Sequence, residues 1–461
     1  MRSRLVLAAA FAAAFASTAA GCGSAGAASD PAGSPGAGAS VAPAGTAAFV
    51  AIDSDANSSQ RQALNGLLAK IPGGDALLTK LRQSFEQQSQ LSWANDVKPA
   101  LGPELDIAVL PAASGGEPET VLLTQPNDSS KLDALLAKLP GTPPATAQVD
   151  GWTAISGSQA ALDTVTGATS HLADSSVYQE ASGKLAADAL VTAYANGAEA
   201  RQLVSGLGGS LQPGHEQLVW ASGDVVATGG GLRVDGYTRK EGGTATQPYA
   251  SQLVDEIPSG ALAVADFQVH QDTGTQPSSS SPLGGALQSL GKALHGETAV
   301  YVSPGAPIPA FTLVTRTSDP QAVLDALQSA LSSIGSSAGQ GKTGSFGLGS
   351  ILGALQLSHA IVGQDLVVST SQAAVDAFKA GGKPLADDDT FKQASSAAGM
   401  PDKTTGFVYV NLKDALSAVQ GIAALSGGSL PGDLSALRTL TAYGSGTSGG
   451  VSSFTVFLEM R

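Results

Sequence analysis

The sequence holds one cysteine, Cys22, and its surroundings assign it a chemistry. Met1-Arg2-Ser3-Arg4 is basic, Leu5 to Ala16 is an apolar run too short to span a bilayer as a stable helix, and Ala19-Ala20-Gly21 puts small residues directly before the thiol. A lipoprotein signal peptide needs that order: small side chains enter the peptidase groove, and the thiol forms a thioether to diacylglycerol before it becomes the new N-terminus. A lone thiol cannot form an intramolecular disulfide, so its position carries the information. The expectation is a leader over 1–21, a lipidated Cys22, and attachment through that lipid to the outer face of a bacterial cytoplasmic membrane. An anchor with two or more acyl chains is enough for stable attachment.

Other residue patterns have the types that could do chemistry. Ser289-x-x-Lys292, Lys342-Thr343-Gly344 and Tyr409-x-Asn411 together resemble the three motifs of serine acyl-transferases that bind penicillin. In those enzymes the Asn motif lies between the other two, whereas here it comes last, and Tyr194-x-Asn196 repeats it. Ser289 and Lys292 therefore stand as a weak enzyme site, the alternative being no catalysis at all. Asp53-x-Asp55-x-Asn57 begins like a calcium loop but has Ser58 where the turn wants Gly and Leu64 where the bidentate Glu belongs. It reads as a strand end followed by a helix cap, and Asp387-Asp388-Asp389 as a solvated turn that caps a helix. Two G-x-S-x-G matches, at 335–339 and 446–450, lack the strand-to-helix setting of a nucleophile elbow. The histidines, His171, His215, His270, His295 and His359, lack metal-ligand spacing and read as surface or loop residues. No cofactor and no metal site is expected.

The elements that would position such residues occur twice. Ser158-Gln159-Ala160-Ala161-Leu162-Asp163, Leu172-Ala173-Asp174 and Gln179-Glu180-Ala181-Ser182 return 213 positions later as Ser371 to Asp376, Leu385 to Asp387 and Lys392 to Ser395. The apolar runs closed by Asp53 and Asp266 share the same offset. In each copy a first strand leads to a helical stretch, a strand pair, a helix, another strand, the shared segment capped by Ser158 or Ser371, a strand ending Tyr-x-Asn, a helix and two last strands. Adjacent strand pairs with helices between them predict an α+β fold, two tandem mostly antiparallel modules over 45–247 and 248–461, after a disordered Gly/Ala/Ser/Pro tether over 22–44. The cluster from Phe346 to Leu357 reads as a core helix, or else as a contact surface.

Asn95-Asp96-Val97-Lys98-Pro99-Ala100-Leu101-Gly102, Leu385 to Phe391 and Phe407-Val408-Tyr409-Val410-Asn411 resemble segments of the bacterial family grouped as domain of unknown function 3352. Ala100 replaces the Trp usual in that family. The resemblance covers nearly all of 45–461 and implies an envelope address and an architecture, with no catalytic residues to carry over. The formal charge of −14 becomes two units more negative once Arg2 and Arg4 leave with the leader, and no Lys/Arg cluster exists to neutralise phosphates, which argues against nucleic acid. The expected role is a non-catalytic binding or scaffold protein of the cell envelope whose partner is a protein or an apolar ligand. The alternatives are an envelope hydrolase or acyltransferase, or a lipid carrier with a continuous aliphatic cavity.

Overall fold

The computed structural model describes residues 36–461 apart from 112–117, 140, 200–216, 243–244, 270–294, 306–307, 334–336, 339–342, 348–355 and 426–433. Contacts divide the chain into two units, the first running to Ala245 with Thr447–Thr455 and Met460–Arg461, the second Thr246–Gly446 with Val456–Glu459. The division falls two residues before Gln247-Pro248. Pieces of the last two strands, which the sequence reading kept whole in the second module, group with the first unit.

In the first unit the apolar run before Asp53 forms β1 (Ala48–Asp53), the middle of an antiparallel sheet. On one side of it lie β2 (Glu104–Leu110), β3 (Glu119–Thr124), β5 (Trp152–Ser156) and β4 (Ala145–Val149), in that order. On the other side lie β6 (Val191–Asn196), β7 (Gln217–Thr228) and β8 (Gly231–Glu241). Alternation along the strands sends Phe49, Ala51, Ala108, Leu123 and Tyr194 into one core, and Leu105, Leu122 and Ile155 into another on the opposite face. The first core is covered by α4 (Gln159–Thr166) and α5 (Ser176–Ser182), which carry Ala161, Leu162, Val165 and Ala181. The second is covered by α2 (Gly74–Ser89), a π-helical turn Trp93–Val97 and α3 (Ser129–Ala137), through Phe85, Trp93 and Leu132. A further helix, α1 (Ser59–Leu68), is capped by Ser58, which accepts the Arg61 N–H.

The second unit repeats the order. Its middle strand is β9 (Ala263–Val269), flanked on one side by β10 (Gly296–Ser303), β11 (Ala310–Arg316), β15 (Asp365–Ser369) and β14 (Gln356–Val362). On the other side are β16 (Gly406–Asn411) and β17 (Leu437–Ser448). A short β12 (Ser337–Ala338) and β13 (Thr343–Gly347) extend the sheet beyond β14. Helices α6 (Pro320–Ser333), α7 (Gln372–Ala380), α8 (Asp389–Ala398) and α9 (Leu412–Leu425) complete it, and β18 (Val451–Met460) ends the chain. The fold is mixed α+β and its sheets are antiparallel in every assigned register.

Three expectations need correction. The tether read over 22–44 ends early: a 3-10 turn at Ala37–Ser40 begins the first unit, with Ala39, Val41 and Ala42 buried. These small residues have little surface to bury, but they close-pack under the Leu172 segment, whose N–H donates to Ala42 O at 2.7 Å. The helix expected from Phe346 to Leu357 is strand at both ends, where Phe346 in β13 pairs with Leu357 in β14; 348–355 lie outside the described residues. Finally, His359 is no surface group. It is buried in β14, packed against Gly344, where a Cβ would stand 2.8 Å from the imidazole.

Candidate functional site

Each unit grips the segment that enters it with a pair of acids on the covered face of its sheet. In the first unit, Glu104 and Asp106 lie two apart on β2, so both point to one side, where the entering turn covers them. Glu104 Oε1 accepts the N–H groups of Gly36 at 2.7 Å and Ala37 at 2.8 Å, and Asp106 Oδ2 accepts that of Gly38 at 2.9 Å. Gly38 fits closely here, because a Cβ would stand 2.1 Å from Asp106 Oδ2 and would displace that carboxyl. The other oxygen of Asp106, Oδ1, is buried without a hydrogen-bond partner, so the site holds two neighbouring acids with more acceptor oxygens than donors. Burial, as the largest influence, pushes both carboxyls up, Asp106 well above the usual range with the charge of Glu104 adding to it.

Tyr178, from α5, closes the cluster. Its ring meets that of Tyr194 edge-on, with centroids 5.1 Å apart at 87°, and burial followed by the two acids pushes its hydroxyl up to about 12. The second unit has the same aromatic pair in Phe391 and Tyr409, 5.1 Å apart at 85°. Its hydroxyl comes from elsewhere: Tyr249 donates to Asp266 Oδ1, and Ser251 Oγ reaches both Asp266 Oδ2 at 3.1 Å and Glu297 Oε1 at 2.7 Å. Glu297 accepts the N–H groups of Gln252 and Leu253, at 2.9 and 3.0 Å, as a 3-10 turn begins at Leu253. Burial, as the largest influence, pushes the Asp266 carboxyl up to about 7, with the charge of Glu297 adding to it.

Cys22, Ser289, Lys292, His215 and His270 lie outside the described residues. The third motif set beside Ser289 and Lys292 does structural work: Tyr409 is buried in the core, and Asn411 exchanges hydrogen bonds with Asp414 at the start of α9. Asp53 and Asp55 accept N–H groups two residues on, at 3.0 and 2.8 Å, as a strand-end cap does. Asp388 caps α8, while Asp387 pairs with Lys392 at 3.0 Å. Residues 449–450 form the turn between β17 and β18, so the second G-x-S-x-G match is a strand end. His171 bridges to Pro43, and His295 Nε2 lies 3.1 Å from Thr317 Oγ1. Among the described residues no three His, Cys, Asp or Glu side chains converge as a metal site, and no helix is long and apolar enough to cross a membrane.

The second unit contains a cavity of about 420 Å³ lined by Asp255, Arg316, Gln364, Asp365, Phe378 and Lys379 among others. Its guanidinium is already spent: Arg316 binds Asp365 through two 2.9 Å bonds and also donates to Glu256 and Gln252. Charged groups of both signs line this cavity beside Val362 and Phe378, so it lacks the continuous aliphatic wall that a lipid carrier requires. The acid pairs were missed in the sequence. Glu104 and Asp106 alternate as residues of a solvent-facing strand edge do, while Asp266 and Glu297 come from different strands. Only the repeated Pro-small-Gly triplets, Pro43-Ala44-Gly45 and Pro258-Ser259-Gly260, signal that both units begin with an entering segment.

No family model matches the chain, and neither does any curated protein. Among solved structures it is similar to crystal form IV of TP0453 at 13% identity and a TM-score of 0.25, over 43% of this chain and 77% of that one. Crystal forms I and III of TP0453 each give 12% identity and a TM-score of 0.27, over 46% of this chain and 93% of theirs. Similarity of that degree has no bearing on fold or role.

Proposed function

We propose that the chain is a lipoprotein of the bacterial cell envelope, held at the outer face of the cytoplasmic membrane through Cys22, whose two units form a non-catalytic binding or scaffold body. The observation that carries the reading is the placement of the single cysteine directly after a basic, apolar and small-residue leader. The use of the repeated residues supports it further. Leu162 and Val375, Leu172 and Leu385, Ala181 and Ala394, and Tyr194 and Tyr409 are all core, so what the duplication preserves is packing. Of the paired acids, Glu104, Asp106 and Glu297 accept backbone N–H groups and Asp266 accepts the Tyr249 and Ser251 hydroxyls, which supports a structural use. Kinship with the family of domain of unknown function 3352 belongs to the same reading, with a protein or an apolar ligand as partner.

The test is mass spectrometry of the N-terminal peptide of membrane-extracted protein, beside a Cys22→Ala variant. The expected result is diacylglyceryl on Cys22, with the variant moving to the soluble fraction; an unmodified cysteine on membrane-bound protein overturns the reading.

A further inference from the structure

We propose that Gly36 to Ala44 is a proton-linked strap: one proton shared by Glu104 and Asp106 holds it on the first unit, and loss of that proton releases it. The inference rests on the first unit alone and stands whether or not Cys22 carries lipid. Two short contacts hold the strap. At its start, three successive N–H groups point into the acid pair. At its end, Ala42 O accepts the Leu172 N–H at 2.7 Å and Ala44 N–H donates to Ser170 O at 3.1 Å. Between them only Ala39, Val41 and Ala42 are buried, and small aliphatic side chains supply little hydrophobic hold. The acid pair is therefore the strongest local contact the strap makes.

The surroundings leave a second negative charge without compensation. The strap has no ionisable side chain between Gly36 and Ala44. From β1 the pair is faced by Phe49 and Ala51, from α5 by Tyr178 and from β6 by Tyr194, and Tyr178, held up near 12, stays neutral throughout the neutral range. Asp53, opposite Glu104 in register, is engaged by Ser58 and Asp55, while Arg61 donates to the Asp53 carbonyl. With one proton the pair is a single anion that accepts three N–H groups. With none, two carboxylates two residues apart repel each other in a buried site. Both carboxyls are raised by burial, so the closed strap is favoured at low pH and weakens as pH rises above the ordinary carboxylate range.

Release would change reach. From Cys22 to Gly36 the chain spans at most about 50 Å, and from Cys22 to β1 about 90 Å, at ~3.4 Å per residue.

Hydrogen exchange on the full-length protein, corrected for intrinsic rates, tests this between about pH 5 and about pH 9. Protection of peptides covering 36–46 should fall at least ~tenfold as pH rises, a change equivalent to one pKa unit, while β1 and β2 amides stay protected. Asp106→Asn, whose amide can donate to Glu104 and whose oxygen can accept from Gly38, should keep the protection and lose its pH dependence. Glu104→Ala should leave the strap open at every pH with β1 still protected. Protection independent of pH in the wild type, an unchanged pH slope in D106N, or loss of β1 protection in parallel with the strap would each overturn the proposal.

Discussion

Asp266 shows how one buried side chain ties stability to pH. Burial is the first influence on its carboxyl; the Tyr249 hydroxyl favours the charged form and the neighbouring Glu297 opposes it, and the balance is pushed up to about 7 from the ordinary 3.8. A raised carboxyl means that the folded unit prefers the protonated acid. The stability it contributes is fully present below the ordinary value and is lost as pH rises through about 7. The second unit is therefore expected to resist denaturant better near pH 5 than near pH 8, at about equal ionic strength, and Asp266→Asn should flatten that difference. Urea melts followed by exchange of β9 and β10 amides measure it; a slope unchanged in D266N would remove Asp266 as the cause. This site was not legible in the sequence, where Asp266 closes an apolar run and reads as the end of a strand. The strand continues to Val269, and the partner acid sits 31 positions on, in β10. Cys22 was legible because its signal is local, whereas a pair made by two strands exists only once their register is set.

At the scale of elements, the duplicated segment preserves a helix start while its caps diverge. Ser158 Oγ accepts the Ala161 N–H at 3.3 Å and donates to Glu119 Oε1 at 2.6 Å, whereas Ser371 holds the same position in α7 with no capping bond from its side chain. Ser158→Ala should cost about 1 kcal/mol, and Ser371→Ala only a few tenths. Thermal denaturation of the two variants separates them, and equal losses would mean that the caps are equivalent in solution. The sequence reading expected a cap at both serines, since residue type alone cannot tell whether a hydroxyl finds its N–H. Most strands and helices were legible from periodicity and from the repeat: β2, β3, β7 and β8 fall where apolar alternation puts them. β4 was missed because Ala145-Thr146-Ala147-Gln148-Val149 alternates small with polar residues and carries no strong apolar face, as suits a strand that pairs on one side only. The entering segment was missed for a related reason. Gly, Ala, Ser and Pro look like a tether unless the acids that receive their N–H groups are known.

At the scale of the whole chain, the first unit is completed by residues that follow the second unit in sequence. Thr455 Oγ1 donates to Asp235 Oδ1 at 2.5 Å and accepts from Arg233 Nη2 at 3.3 Å, while Arg233 Nε holds Asp235 Oδ2 at 2.6 Å. Met460 N–H donates to Gly230 O at 2.8 Å, and Lys70 Nζ approaches Met460 O at 3.4 Å. The Thr455 contact spans 220 positions, so the first unit cannot complete β8's surroundings until the second has been synthesised. Thr455→Val removes the donor to Asp235 while keeping the side chain's shape. Its expected cost is about 1 kcal/mol, that of one hydrogen bond with a partly exposed acceptor. The loss should appear as faster hydrogen exchange in β8 with β9 and β10 unchanged, because the affected contacts all belong to the first unit. Equal acceleration in both units would mean that the chain unfolds as one cooperative body, and that the closing strand stabilises the whole molecule rather than the unit it completes.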